Sequence, residues 1–174
     1  GRPRVGFFPG STIGNFDRDG AVQFLRSVRQ VLGEEGALLV GVDLVKDAAT
    51  LIAAYDDAHG VTARFNKNLL MRINRELGGD FDLEAFDHLA LWNAGHSRIE
   101  MHLVSRKDQI VNAAGHAFAF SSGERLHTEN SHKFTLDMIA RLAAETGWSV
   151  SNTWISDAPQ VALFRLEPVI GERS

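Results

Sequence analysis

Cysteine is absent from the sequence. That excludes a disulfide framework, thiolate zinc sites and a cysteine nucleophile, and it leaves the redox compartment open. No apolar run approaches the roughly 20 residues that a helix needs to cross a bilayer, so no membrane role is expected. The opening Gly1-Arg2-Pro3-Arg4 has no signal-peptide core behind it, because Pro9 and Gly10 interrupt too soon. Cytoplasm is the default compartment. There is no basic cluster, and the formal net charge is −4, which argues against a nucleic-acid partner. Internal repeats and low-complexity tracts are also missing. What remains is 174 residues, 44% hydrophobic and 23% charged, enough for an ordinary soluble domain with a real core.

The most informative stretch is Phe7-Phe8-Pro9-Gly10-Ser11-Thr12-Ile13-Gly14-Asn15-Phe16. An apolar run from Val5 to Phe8 ends abruptly in turn residues. Asp17 then stands where a helix cap would. The pattern predicts a buried strand over 4–9, a turn, and a helix over 18–33. Ligands of open α/β sheets sit beyond the carboxyl end of such a strand. Glycines let a ligand approach the backbone, and short hydroxyl and amide side chains can hold it.

The helix carries Val22, Leu25, Val28, Val31 and Leu32 on one expected face and ends between Gly33 and Gly36. Ala37 to Val42 reads as a second continuous apolar strand, ending at Asp43. Two strands joined by a helix form a βαβ unit, so the pair is expected to be parallel and covered on both faces. Helices are then predicted over about 46–58 and 62–77, with a loop or short turn over 80–86. Segments near 86–94, 97–105, 108–120 and 124–130 read as antiparallel strands, with turn signals at Gly115 and Ser121-Ser122-Gly123. Arg98 to Val104 alternates polar with apolar, which predicts one wet sheet face and a solvated Glu100. From Thr135 a helical stripe of Leu136, Ile139, Ala140, Leu142 and Ala143 stops at Gly147. Trp148 to Ile155 and Val161 to Leu166 then read as an antiparallel hairpin.

Phe8 to Phe16, Gly41-Val42-Asp43-Leu44-Val45-Lys46-Asp47 and Ala54 to Thr62 together resemble the histidine-specific Nα-methyltransferases of ergothioneine biosynthesis. So do Asn74-Arg75-Glu76-Leu77, Arg98-Ile99-Glu100-Met101 and His127-Thr128-Glu129-Asn130-Ser131-His132-Lys133-Phe134. The motifs cover almost the whole chain in order. The resemblance implies an α/β fold: the C-terminal half of a Rossmann-like class I methyltransferase sheet with an inserted α+β substrate-binding lobe. Residues 1–47 and 133–174 would form the sheet part, and 48–132 the lobe. The acidic residue with Gly-x-Gly that opens such folds is nowhere in the sequence, so the chain is expected to be a fragment of a longer enzyme.

The family converts histidine to hercynine with S-adenosylmethionine and no metal. The resemblance places Asn15 and Tyr55 on the substrate carboxylate and Gly10 near the substrate amine and the cofactor. It places Glu129 and Ser131 on the imidazole and Met101 in the same pocket. Most contacts to the cofactor's ribose and adenine have no counterpart here. No catalytic acid or base is singled out.

Read for themselves, these residues have plainer alternatives. Asn15 is a common turn residue. Tyr55, the only tyrosine, could be half-buried core with its hydroxyl at the surface. Met101 is most simply packing. Glu129 and Ser131 sit two apart in a strand and so share a face. There they either face solvent or read both nitrogens of an imidazole. Asp43 and Lys46 lie past a strand end, near a cofactor or as a helix cap and a surface cation. The seven histidines show no close helical pair of the kind zinc sites use. Ser11 and Thr12 belong to no Gly-x-Ser-x-Gly elbow, and Trp92, Trp148 and Trp154 are read as packing. The rival readings are a methyltransferase of the same fold acting on another amino acid or amine, and a non-catalytic binding module. The oligomeric state is not legible.

Overall fold

The computed structural model describes residues 3–170. Along the chain run β1 (Val5–Phe8), a 3-10 turn (Thr12–Asn15), α1 (Arg18–Leu32), β2 (Ala37–Asp43), α2 (Ala48–Tyr55) and α3 (Val61–Leu77). A second 3-10 turn (Leu83–Ala85) precedes β3 (Phe86–Asn93), β4 (Arg98–Ser105), β5 (Gln109–Ala113), β6 (His116–Phe120) and β7 (Arg125–His132). The chain ends with α4 (Leu136–Glu145), β8 (Trp148–Ile155) and β9 (Val161–Pro168). It divides into two compact units. One comprises the chain up to Lys46 and again from Ser131 onward, the other Asp47–Asn130.

The first unit is a four-stranded sheet in the order β1-β2-β9-β8. β1 and β2 are parallel, as two apolar strands joined by a helix require. β9 inserts antiparallel between β2 and β8, so the terminal hairpin closes the sheet with one reversed strand. Asp17 caps α1, its carboxylate accepting from Gly20 N at 2.7 Å. Gly33 ends the helix at φ 77°, a conformation that glycine adopts without cost. The core gathers Leu25 of α1, Val40 of β2, Ile139 of α4, Trp148 of β8 and Phe164 of β9. Trp148 is 1% exposed, and its indole N–H donates to Leu25 O at 3.0 Å.

The second unit packs α2 and α3 with a three-stranded sheet, β3-β4-β7, and a separate hairpin, β5-β6. β3 and β4 pair antiparallel from Phe86↔Ser105 to Asn93↔Arg98. Its apolar residues form two clusters. One holds Leu70, Phe81, Phe86 and Leu103, the other Leu51, Ala90, Ile99 and Met101.

Several expectations need correction. Among the described residues β1 is not buried: its one strand neighbour there is β2, and Val5 and Phe7 are 64% and 66% exposed. Val31 turns away from the α1 core face and is exposed. The segment 108–120 is two antiparallel strands that fold back at Gly115, where the turn signal stands. Neither face of β4 is wet, since Glu100 and His102 are only 9% and 8% exposed. Trp154 lies half exposed on the edge strand β8, so only Trp92 and Trp148 pack.

Candidate functional site

The turn after β1 is strapped to the end of β2. Ser11 N donates to Gly41 O at 3.1 Å, and Ser11 Oγ accepts from Asp43 N at 2.9 Å. Ser11 is held in a left-handed conformation at φ 56°. Two glycines make the close approaches possible. A Cβ on Gly41 would meet Pro9 Cα at 3.4 Å, and one on Gly14 would meet the His132 carbonyl oxygen at 2.7 Å. His132 Nδ1 donates to Gly14 O at 2.9 Å, the carbonyl fixing which nitrogen carries the proton. Gly10 and Asn15 are both exposed on this turn. Gly10 has φ 73°, and a Cβ there would find only Thr12 Oγ1, at 3.8 Å.

Behind the turn lies a charge cluster. Asp43 receives Lys46 Nζ at 2.5 Å on one oxygen and Lys133 Nζ at 2.9 Å on the other. Lys133 also donates to Ser131 Oγ at 3.0 Å and is 0% exposed. Asp43 is therefore no helix cap, a role Asp47 takes for α2. Lys46 is largely buried rather than a surface cation. Sequence reasoning passed over Lys133. Its signal was the alternation that puts it on the side of Ser131.

In the second unit, Tyr55 closes α2 and packs half-buried against the cluster that includes Met101. His88 Nε2 donates to Tyr55 O at 2.7 Å, and Asn66 Nδ2 donates to His88 Nδ1 at 3.0 Å. Thr128 Oγ1 donates to Met101 O at 2.9 Å, joining β7 to β4. Glu129 is half-buried on β7, on the same side of the strand as Ser131. Of the residues singled out from sequence, Gly10, Asn15 and Ser131 thus belong to the first unit, and Tyr55, Met101 and Glu129 to the second. Tyr55 and Met101 share one apolar cluster.

Glu100 is not solvated. Its Oε1 accepts from Asn93 Nδ2 at 2.8 Å and from Arg98 Nε and Nη2 at 2.8 and 2.6 Å. Burial opposes its ionisation, but Arg98, Asn93 and His102 outweigh it and hold the carboxyl down at about 2. Burial lowers the His102 pKa, against the pull of Glu100. Glu100, His102 and His127 offer metal-ligand atoms within 4.8 Å of one another. The two imidazoles, however, stack with centroids 4.7 Å apart and planes inclined by 26°. Their in-plane lone pairs run side by side instead of converging, as a tetrahedral site would need.

The model of the family described as "Histidine-specific methyltransferase, SAM-dependent" matches residues 1–168. The chain belongs to this family. It is 43% identical over 162 residues to the histidine N-alpha-methyltransferase of Mycolicibacterium smegmatis, a match covering 92% of this chain and 50% of that protein. It is likewise 43% identical over 165 residues to the histidine N-alpha-methyltransferase of Mycobacterium tuberculosis, covering 94% and 51%. A fungal relative, ergothioneine biosynthesis protein 1 of Neurospora crassa, is 28% identical over 148 residues, covering 83% of this chain and 16% of that protein. The chain thus spans about half the length of the two bacterial relatives. The α/β sheet with a reversed strand near its end is the Rossmann-like methyltransferase arrangement that the resemblance implied. No helix among the described residues is long and apolar enough to cross a membrane.

Proposed function

We propose that the full-length protein carrying this chain methylates the α-amine of histidine to give hercynine, in ergothioneine biosynthesis. The observation that carries this reading is the match of a histidine-specific family over residues 1–168. The names of the bacterial and fungal relatives point the same way. Residues 47–130 would be the substrate lobe of the enzyme.

S-adenosylmethionine supplies a methyl group already activated on a sulfonium. Gly10 fits an approach by it, since this glycine is exposed and a Cβ there would meet little. The work left to the chain is positioning and keeping the amine lone pair free. Asn15 and Tyr55 would hold the carboxylate through an amide N–H and a phenolic O–H. Glu129 and Ser131 would hold the ring, and Met101 would line it. Each transfer forms one N–C bond, breaks one S–C bond and releases one proton from the amine. The charge of the donor is spread as the bond forms, so strong acid–base machinery is not required.

The test is a competition assay on the full-length protein with histidine, phenylalanine and leucine. Glu129→Ala loses a charge-assisted hydrogen bond of about 1.5–3 kcal/mol, roughly a tenfold to hundredfold loss for histidine. Phenylalanine and leucine should be far less affected. Asn15→Ala should weaken all three alike, because the carboxylate is common to them. Equal losses across substrates for Glu129→Ala would sink the imidazole assignment. Mass spectrometry that finds no methylated histidine would sink the activity itself.

A further inference from the structure

Side chains alternate along β3, so Phe86, His88, Ala90 and Trp92 share one face. Phe86 belongs to the apolar cluster of Leu70 and Leu103, and Ala90 to that of Leu51 and Met101. His88 is thus a polar residue set between two apolar clusters. A leucine there would join them and bury more apolar surface. The imidazole is instead held at both of its nitrogens.

Its polarity is dictated from β4. The His102 carbonyl can only accept, so the Asn66 atom 3.1 Å from it is the amide nitrogen. The other N–H of that nitrogen points at His88 Nδ1, 3.0 Å away. Nδ1 must therefore be bare. The ring proton is on Nε2, which donates to Tyr55 O at 2.7 Å. Tyr55 is the last residue of α2, where carbonyls lack an intrahelical N–H. Hydrogen bonds thus run from the β4 main chain through Asn66 of α3 and His88 of β3 to the end of α2.

This arrangement is costly. Asn66 is 1% exposed, and its Oδ1 has no hydrogen-bond partner among the described residues. A buried polar atom left unpaired loses its hydration with nothing in return. What the arrangement supplies is a fixed place for Tyr55. Its carbonyl is pinned to the sheet, and its side chain packs on the Met101 cluster.

We propose that His88, oriented by Asn66, is a positioning residue that fixes Tyr55 for the substrate carboxylate. The proposal rests on the carboxylate role given to Tyr55 above.

The experiment is calorimetric titration of the full-length protein with L-histidine, S-adenosylhomocysteine present, in a double-mutant cycle of Tyr55→Phe and His88→Leu. Tyr55→Phe should weaken histidine about tenfold, the loss of a hydrogen bond to a charged group. His88→Leu should weaken it about fivefold alone, and less than about twofold in the Tyr55→Phe background, where no hydroxyl is left to place. In His88→Gln an amide N–H can donate to Tyr55 O and an oxygen can accept from Asn66, so affinity should return to within about twofold of wild type. Equal losses from His88→Leu in the two backgrounds would overturn the proposal alone, because a merely structural residue acts whether or not the hydroxyl is there. Wild-type affinity in His88→Leu, or a His88→Gln as weak as His88→Leu, would do the same. If His88→Leu also loses S-adenosylhomocysteine, it has not folded, and the ring nitrogens of His88 in the wild type are read by nitrogen-15 resonance. A proton on Nε2 and a bare Nδ1 are expected, and the opposite tautomer would overturn the proposal. Tyr55→Phe that binds histidine as wild type does would overturn the reading of Tyr55 and the proposal with it.

Discussion

Gly14 has no room for a methyl group. A Cβ would sit 2.7 Å from the His132 carbonyl oxygen and 3.3 Å from its nitrogen, and both are backbone atoms that cannot swing aside. Gly14→Ala must push the turn bearing Asn15 off the end of β7. It should cost about 1–3 kcal/mol, as overpacking does, and lower the urea midpoint of unfolding. Gly10→Ala differs, because the space is open and only the φ of 73° resists; it should cost about 1–2 kcal/mol. An unchanged midpoint for Gly14→Ala would show that the contact yields easily. Single residues were unevenly legible in the sequence. Asp17 was readable as a cap because capping is local. Glu100 was misread because alternation equates polar with wet. Its partners, Arg98 and Asn93, are brought together by the β3–β4 pairing, and they make burial tolerable. Lys133 was missed for the same reason: Asp43 is distant in sequence, and only the fold brings the two to 2.9 Å.

Elements were legible where the periodicity was long and the ends were punctuated. α1, β2, α3 and the β8–β9 hairpin fall where the pattern put them. The burial expected of β1 is not met among the described residues, where its one strand neighbour is β2. Caps make two predictions. Asp17→Ala should destabilise α1 by about 0.5–2 kcal/mol, the usual loss for an N-cap carboxylate, read from the denaturation midpoint. At the start of α3, Asp57 accepts from Val61 N at 2.9 Å and Thr62 N at 2.8 Å. The backbone N–H of Thr62, then that of Val61, hold its carboxyl well below the ordinary value of 3.8. The unfolded chain therefore takes up this proton first. The stabilisation is present above the ordinary pKa and is lost as pH falls through it toward the folded value. Asp57→Asn should show a shallower fall of melting temperature between about pH 4.5 and 3 than the parent chain. Parallel curves for the two would refute the assignment.

At the scale of the whole molecule, the sequence revealed an α/β pattern that breaks off and returns, and the structure has two compact units from three chain segments. The candidate site was legible as short motifs, not as geometry. Gly10, Asn15 and Ser131 lie in one unit and Tyr55, Met101 and Glu129 in the other, so no local pattern could join them. Cofactor binding can be predicted by weighing what the chain offers. The family resemblance ties the cofactor to an acidic residue and Gly-x-Gly after a first strand, and the 174 residues contain no such motif. Gly10 is the one turn position that the resemblance brings near the cofactor. The carboxylate of Asp43, at the end of β2, already takes Lys46 and Lys133. Micromolar affinity needs about −8 kcal/mol, and a hydrogen bond contributes about 1 kcal/mol net. A few such contacts fall well short, so residues 1–174 in isolation should bind S-adenosylmethionine no tighter than about millimolar. The full-length protein should bind it far more tightly under the same conditions. Calorimetry on both decides the matter, and a micromolar dissociation constant for the 174-residue chain would mean that these residues hold a cofactor site the resemblance does not describe.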